Sequence, residues 1–203
     1  MRRIFILGVA LALTAAMAAG VLAHEPKGMV TASLGGGLLL PMGDFGDYSK
    51  LGWRVVGTGG YFVTNNIAIG PTVAFSNNKV KDVFLTANPT ITDAKTQIIE
   101  FGAWGQYFFG EMEIRRLVPY IKAGLGGYNA KFKTESSSGS TSTGETNLGI
   151  NGGGGAMYWL TPQVNLFLEG GFHNIFSDPS ANYLTVSTGV GYLFGHPPGS
   201  HPQ

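Results

Sequence analysis

Leu184-Thr185-Val186-Ser187-Thr188-Gly189-Val190-Gly191-Tyr192-Leu193-Phe194 decides the fold. Leu184, Val186, Val190, Tyr192 and Phe194 share one parity, and Thr185, Ser187, Gly189 and Gly191 share the other. Side chains of an extended chain alternate between two faces, so this stretch is a strand with one apolar face and one small or polar face.

Seven more strands read the same way upstream. Val164, Leu166, Leu168, Phe172 and Phe176 oppose Asn165, Phe167, Glu169, Gly171 and His173, and Leu148, Ile150, Ala156, Tyr158 and Leu160 oppose Asn147, Asn151, the glycines and Trp159. Ile121, Ala123 and Leu125 oppose Tyr120, Lys122 and Tyr128, while Ile99, Phe101, Ala103, Tyr107 and Phe109 oppose Glu100, Trp104 and Gln106. Ile67, Ile69, Val73 and Phe75 alternate with Ala68, Gly70, Thr72 and Ala74. The remaining two are Trp53 to Val63, with Arg54 on its polar face, and Val30 to Leu40. Periodicity of the helical kind is absent after residue 24. The expectation is an all-β fold, an eight-stranded antiparallel up-and-down barrel.

Connections alternate in length. Thr64 to Asn66 and Thr161 to Gln163 are short and Gly110 to Leu117 is medium, whereas Met42 to Gly52, Asn77 to Lys95 and Thr134 to Thr146 are long, and Ser177 to Asn182 is the shortest of that second set. Membrane barrels carry short turns on the periplasmic side and long loops outside, which places both termini in the periplasm. The Ser/Thr/Gly run Ser136 to Gly144 is expected to be mobile, having no apolar residue to bury.

Composition narrows the setting. Of 203 residues 32 are Gly and only 12% are charged, about half the share of a typical soluble domain. The net charge of +1 argues against nucleic acid as a partner, and the absence of Cys removes disulfides, thiolate metal sites and lipidated cysteine. Arg2 and Arg3 ahead of the apolar run Ile4 to Gly20, with Val21-Leu22-Ala23 behind it, form a secretory signal over residues 1–23. The barrel domain then covers 24–194 and a flexible Pro/Gly-rich tail 195–203.

Charge position decides which face meets what. Arg54, Glu100, Lys122, Glu169 and the titratable His173 all fall opposite the aliphatic stripe. A lipid-facing Lys or Arg near the midplane of a barrel costs about 2–4 kcal/mol, so a lipid-facing exterior selects this arrangement. A soluble barrel with its apolar face inward would leave unexplained why charge nearly vanishes from the supposed solvent face. Trp53, Tyr61, Tyr107, Phe109, Tyr158, Phe176, Tyr192 and Phe194 sit toward strand ends on the outward parity, as interfacial girdles do.

Two segments carry a family resemblance. Leu34 to Phe45, a Gly-rich strand running into Pro41-Met42-Gly43-Asp44-Phe45, is similar to the first strand and loop of small outer-membrane barrels of the OmpA, OmpX and OmpW type. Thr188-Gly189-Val190-Gly191-Tyr192-Leu193-Phe194 resembles their C-terminal assembly signal, with Thr188, Gly189, Tyr192 and Phe194 at its matching positions, although nine residues follow Phe194 here. The resemblance covers about residues 29–194. It implies export to the bacterial outer membrane through periplasmic chaperones and the barrel-assembly machinery, contact with outer-membrane lipid including lipopolysaccharide, and an extracellular ligand left unspecified.

For chemistry, the five enclosed ionisable residues suit an ion-pair network that plugs the lumen. A narrow channel for small hydrophobic molecules or ions is the alternative, because ionisable groups at membrane depth are functional candidates. A lipid A-modifying barrel enzyme is third: the deacylase type resembles a His-x-Ser hydrolase, yet His173 is followed by Asn174 and Ile175. Glu169 lies four residues along the strand from His173, about 13 Å away. No catalytic residue, cofactor or metal is assigned; His24, His196 and His201 fall in the terminal segments.

Overall fold

The computed structural model describes residues 25–81, 91–136, 139–178 and 180–195. The expected leader 1–23 lies outside these, as does the expected tail apart from Gly195. Eight strands follow in order: β1 Val30–Met42, β2 Ser49–Phe62, β3 Ile67–Val80, β4 Ile91–Phe108, β5 Leu117–Ser136, β6 Gly139–Trp159, β7 Val164–Ile175 and β8 Ala181–Phe194. Each pairs with the next, and β1 closes on β8 from Val30↔Phe194 to Met42↔Asn182. Closure leaves the sheet without an edge, which is what a span through hydrocarbon would require.

The two faces separate as the alternation dictates. Leu34, Val73, Phe101, Leu125, Leu148, Leu168 and Val190 are exposed on the outer wall, while Arg54, Glu100, His173, Tyr128 and Trp159 are buried. Most outward aromatics form a ring at the short-turn end, where Tyr107 meets Phe109 edge-on at 5.0 Å and Tyr192 meets Phe194 at 4.7 Å. Trp53 and Phe75, 5.4 Å apart, mark the other end.

Inside, the barrel is filled in layers. An apolar cluster at the short-turn end includes Phe62, Trp104, Phe108, Tyr120, Trp159 and Leu193. A second at the opposite end joins Leu39, Phe45, Ile98, Tyr128, Ile175 and Tyr183. Glycine makes room for these rings: a Cβ on Gly60 would stand 2.8 Å from the Trp104 ring, and one on Gly149 2.7 Å from Tyr128. On the outer wall the same device is used once more, where the Phe101 ring lies over Gly127 on the neighbouring strand.

The long connections differ from their expected form. Over its described residues Thr134 to Thr146 is strand and not loop: β5 and β6 stay in register up to Ser136↔Gly139. A hairpin anchored in the barrel adds paired residues by backbone hydrogen bonds, and the β-branched threonines suit it without any apolar burial. Asn77 to Lys95 shrinks likewise, because β3 reaches Val80 and β4 begins at Ile91. Met42 to Gly52 contains a short helix, α1 Gly43–Tyr48, despite the lack of helical periodicity in the sequence. Gly43 at φ 55° turns the chain there, and the buried Phe45 ring folds back against Tyr183 at 6.4 Å. Six residues of helix are too few to leave a period, so its cause is this tertiary contact.

Candidate functional site: the polar layer of the lumen

Between the two apolar clusters lies a polar layer built from strands that are not neighbours. Glu100 of β4 is in register with Ala74 of β3, and the small side chain there lets Arg54 of β2 reach across. Lys122 of β5 and Glu169 of β7 are separated by β6, whose residues at those positions are Gly153 and Gly155. Each pair therefore bridges a strand that carries almost no side chain at the crossing.

The first pair is enclosed. Arg54 Nη2 donates to Glu100 Oε2 at 2.7 Å, and the two side chains are 5% and 3% exposed. Asn151 Nδ2 donates to Glu100 Oε1 at 3.4 Å and to Tyr128 Oη at 3.0 Å. His173 joins through Nδ1, which is 3.2 Å from Tyr128 Oη and 3.7 Å from Glu100 Oε2, while its Nε2 faces Thr185 Oγ1 at 3.4 Å. Its ring stacks on Tyr183 with centroids 4.6 Å apart.

The second pair is wetter. Lys122 Nζ donates to Glu169 Oε2 at 3.1 Å and Oε1 at 3.3 Å, with the side chains 15% and 20% exposed. Tyr120 Oη donates to the same carboxylate at 3.1 Å, and Lys122 Nζ sits 5.4 Å from the centre of the Trp104 ring. Trp104 is itself held by an Nε1–H bond to the Pro71 carbonyl at 2.9 Å.

All five enclosed ionisable residues thus meet in one layer, around a cavity of about 20 Å³ lined by both pairs, Asn151 and His173. That volume holds about one water molecule. Both His173 nitrogens are engaged by wall hydroxyls, and the ring is buried. Tyr120, Tyr128, Tyr183, Asn151 and Thr185 complete the network. Their inward parity was visible in the sequence, but their partners depend on inter-strand register. Thr188, Gly189, Tyr192 and Phe194 lie apart from this layer, in β8: Thr188 Oγ1 bonds the Phe167 carbonyl at 2.8 Å, Gly189 backs the Phe167 ring, and the two aromatics face outward.

Solved outer-membrane barrels share this architecture. Neisserial surface protein A is similar over 87% of this chain and 100% of its own, with 20% identity and a TM-score of 0.58. OprG from Pseudomonas aeruginosa matches over 86% and 99% at 14% identity and 0.55, and the attachment invasion locus protein Ail of Yersinia pestis over 83% and 99% at 17% and 0.54. At these identities the likeness is one of fold. No curated protein matches the sequence. The family model of the outer membrane protein beta-barrel domain matches residues 9–194, and with the closed eight-stranded sheet and its apolar outer wall this makes the chain a member of that bacterial outer-membrane family.

Proposed function

We propose that this protein is a closed barrel with a structural or surface-interaction role, holding its external segments at the cell surface rather than conducting solute. The observation that carries the reading is the filled lumen: two ion pairs cross it between two apolar clusters, and the cavities beside them are small, about 20 and 30 Å³, each near the volume of a water molecule. Orientation follows the connection lengths, with short turns and termini in the periplasm and the extended β4–β5–β6 strands outside. The similar barrel Ail carries attachment in its name and has been crystallised with the heparin analogue sucrose octasulfate, which accords with a contact role for the outer end of this fold.

The chain reaches the membrane through the leader 1–23, periplasmic chaperones and the barrel-assembly machinery, which reads Thr188, Gly189, Tyr192 and Phe194. Phe194→Ala is expected to lower the fraction that shows heat-modifiable migration in isolated outer membranes while leaving refolding in detergent intact. Planar-bilayer recording tests the main reading. Silence at both polarities is expected, and a steady open conductance would overturn it in favour of a narrow channel.

A further inference from the structure

The joint between β1 and β8 differs from every other joint of the barrel. Each other pair of neighbouring strands is tied by a connection of the chain, whereas β1 and β8 are held by pairing alone. Thr31, whose Oγ1 donates to the Tyr192 carbonyl across this seam at 3.2 Å, is 161 residues from its partner. Closing so long a loop costs chain entropy before any contact repays it, which makes this the joint most in need of a clasp.

From Ser33 to Gly37 the inner face of the seam carries only glycine and serine. Gly35 stands opposite Gly189, Gly37 opposite Ser187 and Ser33 opposite Gly191. Over this bare strip lies a side chain from a third strand. Phe167 of β7 is in register with Gly189, and its ring crosses that glycine to reach β1: a Cβ placed on Gly189 or on Gly35 would stand 2.7 Å from the ring. The ring is buried, and β8 pins its backbone, since Thr188 Oγ1 donates to the Phe167 carbonyl at 2.8 Å. Asn165, two residues earlier on β7, covers Gly191 in the same manner, with 2.6 Å between its Oδ1 and a Cβ placed there. Half of the floor under Phe167 comes from the first strand and half from the last, so the slot is complete only when the two have met.

We propose that Phe167 is the latch of the barrel: its ring seats in the slot that Gly35 and Gly189 complete when β1 pairs with β8, and its seating holds that seam shut. Contact of the ring with both strands is gained only in the closed state, so it stabilises closure and not the separate strands. A side chain at Gly35 or Gly189 would fill the slot, which is a physical reason for glycine at both places. The latch acts within the chain. It stands apart from the reading of Thr188, Gly189, Tyr192 and Phe194 by the assembly machinery, and from whether the lumen conducts.

Hydrogen exchange of the full mature protein, refolded into micelles with no other protein present, measures how firmly the seam is held. Phe167→Leu is expected to speed exchange of the β1 and β8 amides about tenfold while β4 and β5 keep their wild-type rates. Phe108→Leu, which trims another enclosed ring in the short-turn cluster, is expected to leave the seam no faster than the other strands. Leu34→Cys/Val190→Cys, in register across the seam of a chain without cysteine, gives a disulfide that should return Phe167→Leu to wild-type protection. The same bond between β5 and β6, from Leu125→Cys/Ile150→Cys, should not. If Phe167→Leu does not fold by itself, these two disulfide forms carry the test, and refolding restored by the seam bond alone is the expected result. Uniform acceleration of all strands by Phe167→Leu, unchanged exchange at the seam, a seam loosened as much by Phe108→Leu, or equal rescue by the two disulfides overturns the proposal.

Discussion

The two ion pairs of the lumen have the same chemistry and different surroundings. Arg54 and Glu100 are 5% and 3% exposed and tied into a web of Asn151, Tyr128 and His173, while Lys122 and Glu169 are 15% and 20% exposed with Tyr120 as their hydrogen-bonding neighbour. Burial raises what it costs to break a pair, because the partner left behind has no water to turn to. The lysine stem is also flexible, and it borders both small cavities of the lumen. The Arg54 pair is therefore the rigid girder of the lumen and the Lys122 pair an adjustable one.

The largest expected break in this contrast is Glu100→Ala. It strands the Arg54 guanidinium in the wall, and unfolding of the micelle-folded protein in urea is expected to show a loss of about 3–5 kcal/mol. Glu169→Ala removes an acceptor from Lys122 and Tyr120 but leaves Lys122 a route to water, so the same measurement should give about 1–2 kcal/mol. Equal losses for the two would erase the distinction. Arg54→Met combined with Glu100→Leu sharpens it from the other side: with both charges gone and volume kept, stability should return to within about 1 kcal/mol of wild type. A double variant as damaged as Glu100→Ala would mean that packing, and not stranded charge, sets the cost.

The outer wall teaches a related lesson about charge. A net charge of +1 argues against a polyanion-binding surface when the chain is read as a string. Pairing Lys79 with Lys95 and Lys95 with Lys133, with Asp93 and Glu135 in register one row further out, groups charges that no count along the sequence displays.

Alternation is a property of consecutive residues, so the sequence by itself determined the strand faces. It put Leu34, Phe101 and Val190 outside and Arg54, Glu100, Lys122, Glu169 and His173 inside. Which enclosed charge meets which is set by partners two strands away, across Ala74 in one case and Gly153 and Gly155 in the other. The helical turn α1 and the continuation of β5 and β6 to Ser136 and Gly139 also came only with the tertiary structure. Phe45 needs Tyr183, from the far end of the chain, to fold against, and a Ser/Thr/Gly run stays extended only because the barrel below holds its base in register.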